Sequence, residues 1–149
     1  MSRDEKYSIL ITGCSSGLGI ELANKFELNG HLVLKHGGKK HHDLSTHSGV
    51  LSLAKEAKDF QVNCLINNAA LVCPDICFEK YDIDLINNMI NVNLRAPILL
   101  THHLLTDLKK IININSMVGL EVKSPRTLYS STKWGLRGFS NSLKKENDN

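Results

Sequence analysis

Aromatic residues are scarce in this chain, at 5%, so the core it builds must be aliphatic. No apolar run approaches the ~20 residues needed to cross a bilayer. The opening residues, Met1-Ser2-Arg3-Asp4-Glu5-Lys6, are charged and lack the apolar stretch of a secretory leader. There are four cysteines, Cys14, Cys64, Cys73 and Cys77. They do not make a small disulfide framework in a chain large enough to fold on its own core, and they read as reduced thiols of a cytoplasmic protein. Charge of one sign is also missing. Eighteen Lys+Arg stand against 15 Asp+Glu, a net charge of +3 that is too mild to imply nucleic acid. No internal repeat or low-complexity linker interrupts the chain.

What is present fits one globular unit. Hydrophobic residues make up 42% and charged residues 22% of 149 residues, close to a soluble average. Residues 1–149 are read as a single domain, burying roughly 68–70% of the unfolded surface.

Strand and helix signals alternate. Residues 7–12 (YSILIT) form a short apolar run ending at Gly13. Leu18, Leu22 and Phe26 follow at helical spacing, with Gly30 as C-cap. Residues 31–35 (HLVLK) form a second strand, ending in the basic stretch His36-Gly37-Gly38-Lys39-Lys40. Ser45 or Thr46 caps a helix carrying Val50, Leu53, Ala54 and Ala57 on one face. Residues 62–66 (VNCLI) are a third strand. After a loop at Pro74, a long helical segment spans about 82–109, with Pro97 expected to end or kink it. Residues 110–115 (KIININ) are a further strand. A loop at Pro125 precedes a last helix over about 129–145. This β-α-β-α-β-α-β-α order predicts an α/β fold, a doubly wound parallel sheet of Rossmann-like type.

The junction Thr12-Gly13-Cys14-Ser15-Ser16-Gly17-Leu18-Gly19 lies where a strand meets a helix. A helix N-terminus offers unpaired N–H groups and about half a positive charge. Glycines there permit a tight turn and close approach of a phosphate. Gly13, Ser15, Ser16, Gly17, Leu18 and Gly19 are therefore candidate dinucleotide-binding residues; the plain alternative is an ordinary Gly/Ser loop.

The spacing Thr-Gly-x-x-x-Gly-x-Gly resembles the glycine motif of the short-chain dehydrogenases/reductases. Further matches follow in that family's order. Asn67-Asn68-Ala69-Ala70 resembles its Asn-Asn-Ala-Gly motif, and Asn91-Val92-Asn93-Leu94 its helix with a catalytic asparagine. Ser116 follows strand 110–115 as the catalytic serine does, and Tyr129-Ser130-Ser131-Thr132-Lys133 matches Tyr-x-x-x-Lys. The resemblance runs from Tyr7 to about Lys145. It implies a hydride-transferring oxidoreductase using NAD(P) on a small-molecule alcohol or carbonyl. It also implies strand order 3-2-1-4-5, a homodimer or homotetramer, and a catalytic set of Asn93, Ser116, Tyr129 and Lys133.

The chemistry gives that set a rationale. Hydride delivery to a ketone requires a proton, and the family's acid/base maps to Tyr129. A free phenol titrates near ~10. Positions i and i+4 share a helix face, so Lys133 lies beside Tyr129. A cation at about 4 Å favours a phenolate by ~4 kcal/mol at an effective dielectric of ~20, before desolvation and screening. By the resemblance, Lys133 and Tyr129 also hold the nicotinamide ribose. Ser116 orients the substrate oxygen, and Asn93 holds a water that relays protons to Lys133. Taken singly, each of these residues reads better as an ordinary surface, turn or helix-face residue; together, downstream of the glycine turn, they read as a site.

NAD recognition in such folds uses an acid at the end of strand two. Here Lys35, His36, Lys39 and Lys40 stand there, and no carboxylate occurs until Asp43. Cations suit a 2′-phosphate, so NADP is expected, with NAD as the alternative. Asp43-Leu44-Ser45 resembles the family segment beside the adenine. Asp43 would accept from the adenine amino group, with Leu44 packed nearby, while Asn67, Ala69 and Ala70 would line the cleft.

Three departures from the family pattern stand out. The interval between 31–35 and Asp43 is too short for the family's helix and third strand, leaving at most a vestigial strand at 41–44. Ala70 replaces a glycine. The chain stops at Asn149, where complete members continue with a strand, a Pro-Gly loop and a substrate lid. By the resemblance the sequence is expected to be either a fragment or a C-terminally short member with weak or altered activity, with an open edge at 110–115. His36, His41, His42 and His47, or Cys73 with Cys77, match no standard zinc spacing, so no metal site is expected. His102 and His103 read as helix-face residues. Trp134 and Phe139 are expected against the sheet or at a subunit contact. A non-catalytic dinucleotide-binding or regulatory protein is the second reading. A nucleic-acid-associated domain would need steep salt dependence of binding.

Overall fold

The computed structural model describes residues 5–72, 75–121 and 124–147. The pieces are β1 (Ser8–Thr12), α1 (Gly17–Leu28), β2 (Leu32–His36), α2 (His47–Asp59), β3 (Cys64–Asn67), α3 (Ile83–Ile90), α4 (Ala96–Leu104), β4 (Lys110–Asn113) and α5 (Thr127–Asn147). Among the described residues the sheet has four strands in the order β2-β1-β3-β4. All pairings are parallel, with Ile9 opposite Val33 and Cys64, and Leu65 opposite Ile111.

Alternation along β1 sends side chains to both faces. Leu10 joins Val50, Leu53, Leu65, Leu100 and Leu104 under α2 and α4. Ile9 and Ile11 join Ala23, Cys64 and Ile66 under α1. The helices therefore cover both faces, as a parallel sheet requires. A third cluster holds Tyr81, Met89, Val118, Leu128 and Tyr129.

The order matches the family's 2-1-4-5, with its third strand absent among the described residues. Residues 41–44 form turns rather than a vestigial strand. Their backbone is engaged locally: Thr46 N–H donates to the Asp43 carbonyl at 3.0 Å, and the Thr46 hydroxyl caps α2 through Gly49 N–H at 3.0 Å.

Pro97 neither ends nor sharply breaks its helix. It has no N–H for the carbonyl four residues back. The chain accommodates this with a π turn over Asn91–Arg95, in which Ala96 N–H reaches the Asn91 carbonyl. The helix then resumes and ends at Leu104, short of the expected 109. The loop proline Pro74 lies outside the described residues. Trp134 is 43% exposed, with the Arg137 guanidinium 5.6 Å from its ring centre, while Leu136, like Leu128, is among the buried residues of α5.

Candidate active site

A cavity of about 340 Å³ opens where the C-terminal ends of β1 and β2 meet the start of α1. Gly13, Ser15, Ser16, Leu18 and Gly19 form one wall; Asp43 and Leu44 lie opposite. Ser16 is the N-cap residue of α1, yet its side chain makes no capping hydrogen bond. The first-turn N–H groups of α1 thus lack the usual internal partner. Two glycines are dictated by space. Gly13 has φ +75°, and a Cβ there would sit 2.8 Å from the Ala69 Cα. A methyl on Gly19 would run into the Gly13 carbonyl oxygen.

The turn is braced from β3. Thr12 Oγ1 accepts from the N–H groups of Asn68 and Ala69, both at 3.0 Å. Asn68 Nδ2 donates to the Thr12 and Gly13 carbonyls at 2.8 and 3.2 Å. Thr12 and Asn68 were not among the sequence candidates. The signal for both was present, since each stands inside a quoted motif. Asn67, by contrast, does not line the cavity. It is 3% exposed, and its Nδ2 donates to Asn113 Oδ1 at 2.8 Å. Neighbouring strand residues point to opposite faces, so Asn68 takes the place foreseen for Asn67. Ala69 and Ala70 both line the cavity.

The basic stretch is arranged differently from the expected cation cluster. Lys35 turns to α1, where its Nζ pairs with Glu27 Oε2 at 2.8 Å, and it is not in the cavity wall. His36 lines the cavity but is only 3% exposed. Burial holds its imidazole below the ordinary pKa, so near neutral pH it is an uncharged ring. Lys39 is the lysine of this stretch in the cavity wall, with its Nζ 3.9 Å from Asp43 Oδ2. Burial opposes ionisation of Asp43, but hydrogen bonds from the Ser45 hydroxyl and N–H, together with Lys39, keep its carboxyl below the ordinary value. His42 also lines the cavity.

Tyr129 and Lys133 lie one turn apart on α5, with Lys133 Nζ 5.8 Å from the Tyr129 ring centre. Both are buried, Lys133 to 3% exposure. Burial lowers the Lys133 pKa. Its Nζ donates to the Ile114 carbonyl at 2.8 Å, which ties α5 to the end of β4. Ser116 stands just beyond β4, at the start of a 3₁₀ turn over Met117–Gly119. Asn93, in the π turn, is 1% exposed. Its Oδ1 accepts from Leu71 N–H at 2.7 Å and its Nδ2 donates to the Leu71 carbonyl at 2.8 Å. Leu71 lines the cavity and also packs against the cluster holding Tyr129. Ser116, Tyr129 and Lys133 do not themselves line that cavity. The structure therefore brings Tyr129, Lys133, Ser116 and the end of β4 to one neighbourhood, and the glycine turn, Asp43 and Leu44 to another, with Leu71 between them.

Cys73 lies outside the described residues; Cys77 is exposed. No helix among the described residues is long and apolar enough to cross a membrane.

A parallel α/β sheet covered on both faces and opening with a glycine turn defines the class. The chain belongs to the short-chain dehydrogenase family, whose model matches residues 38–149. It is 30% identical to nodulation protein G of Rhizobium sp. (strain N33), with 92% of this chain and 65% of that protein covered. It is 28% identical to the NADPH-dependent 1-acyldihydroxyacetone phosphate reductase of Schizosaccharomyces pombe, with 95% and 55% covered. A metagenomic short-chain oxidoreductase solved in complex with NADP superposes with TM-score 0.82 at 22% identity, covering 97% of this chain and 77% of that one. The chain spans 55–65% of the length of the first curated relatives it matches.

Proposed function

We propose that this chain carries the dinucleotide-binding and acid/base part of an NADP(H)-preferring oxidoreductase acting on a small-molecule alcohol or carbonyl. The observation that carries this reading is the uncapped start of α1 facing a glycine-walled cavity, in a fold that also buries Tyr129 and Lys133 together. The donor set fits a dinucleotide. The diphosphate would take the first-turn N–H groups of α1 and the hydroxyls of Ser15 and Ser16. Asp43 has one oxygen held by Ser45 and the other 3.9 Å from Lys39 Nζ, and the adenine amino group would share that second oxygen with Lys39. When bound, the nicotinamide supplies or accepts the hydride.

This chain's own residues handle the proton. Tyr129 donates it to the substrate oxygen on reduction and takes it back on oxidation. Lys133 places a cation beside the phenol. Ser116 hydrogen-bonds the substrate oxygen and fixes its orientation. Asn93 holds the Leu71 backbone, the segment between the two neighbourhoods, which gives it a positioning role in addition to any water relay.

Preference for NADP(H) now rests on Lys39 rather than Lys35 or His36. The fission-yeast relative, named as NADPH-dependent, supports this preference. Lys39→Ala is expected to raise the Kd for NADPH about tenfold or more and leave NADH nearly unchanged, since one charge-assisted contact is worth ~1.5–3 kcal/mol. Equal effects on both would return the assignment to NAD. A second reading, dinucleotide binding without turnover, draws on the absence of Ser116, Tyr129 and Lys133 from the cavity wall. NADPH oxidation against a panel of carbonyls separates the two. Turnover sustains the first, and tight NADPH binding with none sustains the second. A homodimer or homotetramer and a cytoplasmic location complete the proposal.

A further inference from the structure

His36 is a buried titratable side chain that the proposed mechanism does not use. It ends β2 opposite Thr12, the last residue of β1. Its backbone carbonyl accepts from Cys14 N–H at 2.8 Å. Its ring lies between the two walls of the cavity. On one side, Gly13 N–H donates to Nδ1 at 3.5 Å. On the other, Nε2 lies 2.8 Å from the His42 carbonyl oxygen. A carbonyl only accepts, so Nε2 carries the hydrogen and Nδ1 the lone pair. One neutral tautomer satisfies both contacts at once.

We propose that His36 is a positioning residue whose neutral ring ties the glycine turn to the 37–43 loop, so that its protonation loosens the nucleotide cavity. This inference rests on the reading of the cavity as a dinucleotide site and adds a regulation to it.

The chemistry is asymmetric. Protonation leaves the Nε2 contact in place, and the His42 carbonyl accepts from it as before. It destroys the Nδ1 contact, because the new N–H points at the Gly13 N–H, a donor facing a donor. The cation is also buried, where an unpaired charge is costly. No carboxylate hydrogen-bonds the His36 ring. The groups around it are known on every side. His41, His42, Lys39 and Asp43 lie on the loop, Lys35 on β2, Cys14 on the glycine turn and Glu56 on α2. The Glu56 carboxylate is occupied by His42, whose Nε2 lies 2.8 Å from its Oε2. The His42 and His36 rings are near parallel at 6.4 Å, so an imidazolium on either opposes one on the other. Burial keeps His36 neutral near pH 7, and acidification is what turns it.

The test is the Kd of NADPH and of NADH for the full chain, measured by calorimetry between about pH 8 and about pH 5.5, for wild type, His36→Gln and His42→Gln. Glutamine keeps an N–H for the His42 carbonyl but cannot titrate. For wild type, both Kd values are expected to rise by up to about tenfold per pH unit once the pH is below the His36 pKa, the slope of one proton. His36→Gln should be flat with pH for NADH whatever its affinity, keeping for NADPH only the dependence of the 2′-phosphate itself, which titrates near ~6, and His42→Gln should keep the wild-type slope. A flat wild type, or a slope lost in His42→Gln, overturns the proposal. NADPH binding that strengthens with acid while NADH does not also overturns it, since His36 would then be a phosphate-binding cation.

A readout without nucleotide keeps the proposal separate from the function it rests on. Amide exchange at Gly13, corrected for its intrinsic pH dependence, should lose protection as the His36 ring signal titrates in NMR spectra. If neither nucleotide binds at any pH, the functional reading fails and Gly13 alone decides. Protection that is constant through that titration overturns the latch.

Discussion

Asn93 gives both ends of its amide to the backbone of Leu71 and a third contact, at 3.3 Å, to Thr132 Oγ1 on α5. It thereby joins three segments from a position 1% exposed. Asn93→Ala leaves the N–H and C=O of half-buried Leu71 without a protein partner; water from the cavity can reach them, so the cost is ~1–2 kcal/mol, the low end for two orphaned groups. The urea midpoint should fall accordingly; an unchanged midpoint would show that Leu71 finds other partners. Tyr129 and Lys133 separate by another measurement. Tyr129→Phe keeps the ring in its cluster and removes only the hydroxyl, so NADPH affinity should persist while turnover falls by about 10²–10⁴, the usual contribution of a positioned acid/base. Lys133→Met should lose turnover and affinity together. Full turnover in Tyr129→Phe would remove it as the acid/base.

Pro97 and Asn93 are coupled through the π turn. Pro97 denies an N–H to the Asn93 carbonyl, and the extra residue in the turn sets the direction of the Asn93 side chain. Pro97→Ala restores the donor. The turn should then wind to a regular α-helix and carry the amide away from Leu71, which exposes the Leu71 amide to exchange. Protection at Leu71 equal to wild type would show that the clamp, not the proline, maintains the turn. The sequence carried a proline signal but could not tell a kink from a π turn, because that depends on Leu71, 22 residues away. The four strands and the helical faces were readable because alternation and 3.6-residue spacing are local. So was the glycine turn, by the spacing of its glycines, although the space that requires Gly13 is set by Ala69, 56 residues further on, and only Gly19 answers to a neighbour in sequence, the Gly13 carbonyl. The charge expected of Lys35 and His36 was not legible for the opposite reason: it was counted from residue type, whereas Glu27 pairs with Lys35 and burial keeps His36 neutral in the cavity wall where the sequence reading put it.

The sheet buries two titrating groups that bound stability from either side of neutrality. Cys64 is 1% exposed, and burial pushes its thiol from 9.0 up to about 11. The unfolded chain releases that proton first, so the contribution is whole below pH ~9 and is lost between ~9 and ~11. At ~1.4 kcal/mol per unit, that is roughly 3 kcal/mol. Cys64→Ala should be less stable at neutral pH but free of this alkaline loss; an identical alkaline profile would refute the assignment. His36 acts on the acid side. Its folded pKa lies below the unfolded ~6.5, so its contribution is present above that value and is lost as the pH falls through the folded one.

The whole account depends on a nucleotide diphosphate seated against the start of α1, and NADPH binding to wild type and Gly19→Ala measures this most directly. The added methyl meets the Gly13 carbonyl and must push the turn into the space the diphosphate needs. Saturable NADPH binding by wild type, weakened about tenfold or more in a folded Gly19→Ala chain, is the predicted result, a loss of ~1.4 kcal/mol at least. Equal affinity in the two proteins, or none in wild type, would contradict it.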